Sequence, residues 1–201
     1  MANIPQILLA AGASSRMGSP KSLLKWGDEN LIQFQVKKLL ATQQSVCVVL
    51  GSQVTEVLST IKNFPVLIVE NPNWEQGMGS SIAAGVGEVN TRISDFDAVL
   101  ISTIDQPLVS SEHLKMLIRA YKKDTRQIIV SESNDGWQGV PVLFDKFYID
   151  ELKALGGDNG ARPIVKKYQV NVQSIQAGNQ LVDMDTQAMY QKLLQNINHQ
   201  F

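Results

Sequence analysis

Ile4-Pro5-Gln6-Ile7-Leu8-Leu9-Ala10-Ala11-Gly12-Ala13-Ser14-Ser15-Arg16-Met17-Gly18-Ser19-Pro20-Lys21 is the stretch on which the fold turns. Residues 4–10 form a short apolar run of the kind expected of a strand buried on both faces. A run of small residues comes next, punctuated by two glycines and two cations. Gly12 and Gly18 tolerate positive φ, and small side chains let the main chain approach a ligand closely. Successive N–H groups in such a loop form a concave anion site, to which Arg16 and Lys21 add full charges. The spacing is neither the Walker pattern, since Ser19 and Pro20 separate Gly18 from Lys21, nor the dinucleotide Gly-x-Gly-x-x-Gly. A triphosphate cradle is the preferred reading. A surface loop with incidental basic residues is the alternative.

Outward from that loop, buried-strand patterns recur at 46–50, 66–69, 98–104 and 127–130, with a further strand at 140–144. Amphipathic helical patterns cover 31–40, 54–61, 80–89, 112–122, 161–168 and 187–196. Strand and helix alternate, which favours a mostly parallel, Rossmann-like sheet with helices on both faces. The expectation is an α/β fold, a single three-layer α/β/α domain over residues 1–201. Residues 131–141, rich in Gly, Ser, Asn and Asp, read as a mobile loop and a candidate lid.

With 44% hydrophobic and 18% charged residues among 201, the chain has the composition of an ordinary globular protein. A formal net charge of −1 leaves no global field to draw it onto nucleic acid or an acidic membrane, so an anion must be held by a local cluster. The one cysteine, Cys47, sits inside an apolar run and reads as a small buried hydrophobe. No apolar stretch approaches the ~20 residues that span a bilayer, and no leader pattern stands at the N-terminus, so a reducing cytoplasm is the expected location.

In open α/β sheets ligands bind beyond the carboxyl ends of the strands, so chemistry is sought there. Asn71-Pro72-Asn73-Trp74-Glu75-Gln76-Gly77-Met78-Gly79-Ser80-Ser81 opens a helix, with Ser80 or Ser81 as candidate cap, and suits an anion or ribose. The most apolar strand ends abruptly in Asp105-Gln106-Pro107. Phosphoryl transfer needs a divalent ion, and Mg²⁺ is typically held by one or two carboxylates with waters, a task for which Asp105 is well placed. An Asp opening a turn before Pro107 is the plainer use. Residues 181–186 alternate like a short strand, putting Asp183 and Asp185 on one face, where either could complete a metal site. Trp137 and Gln138 stay uncommitted, and His113 and His199 receive no role.

The run Leu9 to Gly18 with Lys21 resembles the signature loop of the MobA-like nucleotidyltransferases, closest to the molybdenum cofactor cytidylyltransferase branch. The later motifs, Asn-Pro-to-Ser at 71–81, Asp-Gln-Pro at 105–107, Gly-x-Pro at 139–141, the Gly-Asp turn at 156–162 and Asp-x-Asp-Thr at 183–186, are similar in order as well. The resemblance implies a nucleotide-diphospho-sugar transferase type of fold. It implies transfer of a nucleoside monophosphate from a triphosphate to a phosphorylated small acceptor such as molybdopterin, with release of pyrophosphate and a molybdoenzyme as downstream recipient. Ala11, where the guanylyl-transferring branch has a second glycine, favours CTP. On the same ground Ala10, Ala11, Gly12, Ser14, Arg16, Lys21, Gly79 and Ser81 meet the nucleotide, and Gly139, Pro141 and Arg162 the acceptor. Asp105 and Asp185 hold Mg²⁺, and Arg16, Lys21 and Asp105 are the catalytic set. Val140 stands where the family often has histidine, and Gln187 where it has proline. A non-catalytic cofactor-binding module, a sugar-phosphate nucleotidyltransferase and a nicotinamide-dependent oxidoreductase are the competing readings.

Overall fold

The computed structural model describes residues 2–13 and 17–198, with the backbone alone for 196–198. The chain runs through β1 (Gln6–Ala10), a small hairpin of β2 (Lys25–Trp26) and β3 (Glu29–Asn30), α1 (Leu31–Leu40), β4 (Val46–Leu50), α2 (Val54–Ile61) and β5 (Leu67–Glu70). It continues with α3 (Met78–Arg92), β6 (Ala98–Thr103), α4 (Ser111–Ala120), β7 (Ile128–Ser133) and β8 (Gln138–Asp145). It ends with α5 (Ile149–Lys153), α6 (Arg162–Lys167), β9 (Val172–Gly178) and α7 (Gln187–Asn198). Seven of these strands make one sheet in the order β5-β4-β1-β6-β8-β7-β9. All its pairings are parallel except the two that β8 makes, with β6 and with β7.

Alternation along the strands divides the core into two layers. Leu8, Val48 and Leu100 point to the layer covered by α1, α2, α4 and α7. Ile7, Val49 and Ile101 point to the layer under α3, α5 and α6. A strand that is apolar at every position is what two covered faces demand. Local signals start the helices: Asn30 and Gln33 form a reciprocal capping box at α1, and Ser110 Oγ accepts from His113 N at 3.1 Å to cap α4.

Several expectations are corrected. Residues 131–141 are not a lid loop: they belong to a paired β7–β8 hairpin, in which Asn134-Asp135-Gly136 is the turn and Gly136 takes φ 83°. Asp-Gly between alternating residues is a hairpin signal, and this hairpin is what reverses β8. Helix α3 begins at Met78 with Gly77 as its cap, and Ser80 Oγ donates back to Gly77 O and Asn73 O, both at 2.9 Å, so neither serine caps it. Residues 181–186 join no strand pairing among the described residues. They cross the carboxyl ends of the strands, pinned where Met184 N donates to Asp105 O at 2.8 Å.

Candidate functional site

From β1 the chain moves outward to β4 and β5, then returns to place β6 on the other side of β1. Beyond the carboxyl ends of β1 and β6 the two directions of winding leave a crevice, the usual ligand position in such sheets. A cavity of about 390 Å³ opens there, walled by Ala11, Gly12, Lys21, Ser81, Asp105 and Asp185. A second, of about 410 Å³, lies alongside between α3, β8 and α6, with Gly139 and Arg162 in its wall. Met78, Thr103, Asp105 and Asp158 line both.

The charged centre joins residues far apart in sequence. Lys21 Nζ is 2.6 Å from Asp185 Oδ1 and 3.7 Å from Asp105 Oδ2, so one ammonium faces both carboxylates. Asp183 Oδ1 accepts from Gln106 Nε2 at 3.0 Å. Desolvation raises the Asp183 carboxyl above its ordinary range, the Gln106 hydrogen bond opposes this, and the charges of Asp105 and Asp185 add to the rise. Met184, fully buried between the two aspartates of its segment, anchors both.

The wall of the first cavity around Ser81 is built by backbone approach. Asn71 is buried; its Nδ2 donates to Ser80 Oγ at 3.0 Å and to Ser81 Oγ at 3.1 Å, and its Oδ1 accepts from Asn73 N at 3.0 Å. Gly79 N donates to Gly157 O at 2.9 Å, and a Cβ on Gly79 would meet Gly156 O at 2.5 Å. Gly79 therefore docks the start of α3 against the 156–160 turn and does not line the cavity. Ser52 N donates to Ala11 O at 3.0 Å, tying the loop after β1 to the end of β4.

Of the residues expected at the site, the structure gathers Ala11, Gly12, Lys21, Ser81, Asp105 and Asp185 around the first cavity, and Gly139 and Arg162 around the second. Ala10 is buried within β1, and Pro141, which follows a cis peptide bond, faces a small void beside Ser102 on the other face of the sheet. Neither lines either large cavity. Ser14 and Arg16 lie outside the described residues. Thr103 and Asp158, which line both cavities, receive no role from sequence: a threonine in an apolar strand reads as strand propensity, and the Asp that follows Gly157 as part of a turn. Trp137 lies across Gly139 at the wall of the second cavity.

This architecture, with its crevice at the switch point, is that of nucleotidyltransferases of the nucleotide-diphospho-sugar transferase fold. The chain belongs to the MobA-like NTP transferase domain family, whose model matches residues 6–172. It is 28% identical over 197 residues to the nicotine blue oxidoreductase of Paenarthrobacter nicotinovorans, covering 94% of this chain and 95% of that one. It is 33% identical over 92 residues to the molybdenum cofactor cytidylyltransferase of Escherichia coli strain K12, covering 45% of this chain and 48% of that one. The crystal structure of Rv0371c from Mycobacterium tuberculosis H37Rv superposes with a TM-score of 0.83 at 25% identity, covering 96% of this chain and 98% of that one.

Proposed function

We propose that this protein transfers CMP from CTP to a phosphorylated small acceptor of the molybdopterin kind and releases pyrophosphate. The observation that carries the reading is the place of Asp105, which lines both cavities and shares the Lys21 ammonium with Asp185. A donor in the first cavity and an acceptor in the second would meet at one acid. In this reading Ala11, Gly12, Ser14 and Ser81 lie along the nucleotide, with Ala10 and Gly79 shaping the wall behind. Arg16 and Lys21 draw in the phosphate charge. Gly139 and Arg162 face the acceptor, and Pro141 sets the strand that carries Gly139.

An acceptor phosphate oxygen attacks the α-phosphorus in line. The new P–O bond forms as the bond to the α–β bridging oxygen breaks, and the electron pair leaves with pyrophosphate. Because the nucleophile is already anionic, no side chain has to remove a proton, and catalysis reduces to positioning and charge stabilisation.

Among the described residues no three His, Cys, Asp or Glu side chains cluster as a ready-made ion cage. The donor set still fits Mg²⁺, which commonly takes only one or two carboxylates and completes its shell with water and substrate phosphates. Asp105 and Asp185 would hold it, and bound there it would neutralise charge on the phosphates. Among the described residues no helix is long and apolar enough to cross a membrane. In the proposed reading the reaction takes place in the cytoplasm and a molybdoenzyme receives the product.

The likeness to nicotine blue oxidoreductase along nearly the whole chain favours a second reading, an oxidoreductase working in the same crevice. The test is pyrophosphate release from each of the four nucleoside triphosphates with magnesium and a panel of phosphorylated acceptors that includes molybdopterin. CTP with molybdopterin is the pair expected to turn over. No release from any pair, with nucleotide still bound, would replace the enzyme by a binding module. Oxidation of a reduced nicotinamide by an aromatic acceptor would favour the second reading.

A further inference from the structure

The backbone that carries Asp105 is held by helix α1. Ile104 donates its N–H to Leu9 O on β1 at 3.0 Å. The carbonyls of residues 104, 105 and 106 are all occupied. Gln35 Nε2 donates to Ile104 O at 3.1 Å and to Gln106 O at 3.3 Å, while Asp105 O between them accepts from Met184 N at 2.8 Å. One turn further along α1, Lys38 Nζ donates to Pro107 O at 3.0 Å and to Val109 O.

Gln35 sits among the apolar core positions of α1, only 4% exposed, and lines neither large cavity. A buried carboxamide costs stability unless it is hydrogen-bonded, and both bonds from Gln35 Nε2 go to the Asp105 loop, one to Ile104 O in the peptide before Asp105 and one to Gln106 O a residue beyond it. Gln35 holds the peptide plane before Asp105 and Met184 N the plane after it, and the two together set the direction in which the Asp105 carboxylate leaves the chain. The Met184 bond to Asp105 O passes the same constraint to the segment bearing Asp185, and Gln106 Nε2 extends it to Asp183.

We infer that Gln35 is a positioning residue that sets the relative placement of the Asp105 and Asp185 carboxylates for their cation. The inference rests on the proposed reading of those two acids. Partners that orient metal ligands from outside the coordination shell typically change metal affinity or activity roughly 10- to 100-fold when lost.

The experiment compares Gln35→Met, which keeps the length of the side chain and removes the donor, with Gln33→Met on the same helix. Gln33 bonds Thr60 O and Asn30 N, each at 3.0 Å, so its loss costs stability without touching the Asp105 loop. Mn²⁺ affinity is read by electron paramagnetic resonance with a non-hydrolysable CTP analogue bound, alongside kcat for the full reaction. The Gln35→Met variant is expected to lose roughly 10- to 100-fold in both, with analogue binding in the absence of metal unchanged. The Gln33→Met variant is expected to move only the melting temperature. Wild-type values in Gln35→Met, or equal losses in Gln33→Met, would overturn the inference. Should the wild type bind no Mn²⁺ and transfer no nucleotide, the proposed function fails. The positioning claim then stands or falls on hydrogen exchange at the Met184 amide, faster in Gln35→Met if it holds and unchanged if it does not. If Gln35→Met does not fold, Gln35→Asn, the same amide on a shorter stem, carries the same expectations.

Discussion

Lys21 lies between Asp105 and Asp185, which makes one ammonium the neighbour of both proposed cation ligands. Asp105→Ala is expected to keep the fold, by circular dichroism, and to lower turnover about 10³-fold or more, the scale of a few kcal/mol of lost charge stabilisation. Retained activity would remove Asp105 from the site. A pH effect belongs to His113, which is buried on α4 with Nε2 2.8 Å from Ser131 Oγ. Ser131 Oγ donates its proton to Pro141 O at 2.7 Å, so Nε2 is the donor, and Nδ1 has no partner among the described residues. Burial holds the imidazole pKa below its ordinary 6.5. The unfolded chain therefore takes up this proton before the folded one does, and stability present above pH 6.5 is lost as pH falls below it. Replacing the ring in His113→Gln is expected to flatten the fall in melting temperature between about pH 6.5 and 5.5; an unchanged slope would contradict the assignment. At this scale Lys21 and Asp105, which the structure brings together in one crevice, stand out in sequence because a cation after the first strand and an acid ending the most apolar strand fall where ligands bind in such sheets. Gln35 is not, because a glutamine on an amphipathic helix looks solvated until its carbonyl partners are known.

Hydrophobic period located the long elements well: α1, β4 and α2 lie where their patterns place them, each signal being contained in its own segment. Elements that depend on distant partners escaped. Strand β9 is an edge strand whose Gln173, Ser174 and Gln176 are exposed, and it is ordered by parallel pairing with β7 across some forty residues of chain. The 181–186 segment has strand alternation but no strand pairing among the described residues, since it is held instead by Asp105 O, Gln106 and Lys21. The docking of α3 gives the prediction for elements. In Gly79→Ala the new methyl would meet Gly156 O at 2.5 Å and the α-carbon of Gly156 at 2.9 Å. The expected cost is about 1–3 kcal/mol in urea denaturation, the usual range for overpacking, with weaker nucleotide binding because Ser81 rides on the same turn of helix. Neutrality in both would show that the turn yields freely.

For the molecule as a whole, the alternation of strands and helices predicts the layers, whereas the strand order that makes the crevice is non-local. Nothing within β6 says that it pairs with β1 on the side opposite β4, yet that pairing sets Asp105 beside the loop that ends in Lys21. Placing a nucleotide cavity and an acceptor cavity on either side of one acid is the central claim. It is tested most directly by anomalous diffraction from crystals grown with a non-hydrolysable CTP analogue and Mn²⁺. A single manganese peak coordinated by Asp105 and Asp185 is expected, with the α-phosphate turned toward the cavity that holds Arg162. A nucleotide bound elsewhere, or a manganese peak away from both aspartates, would contradict it.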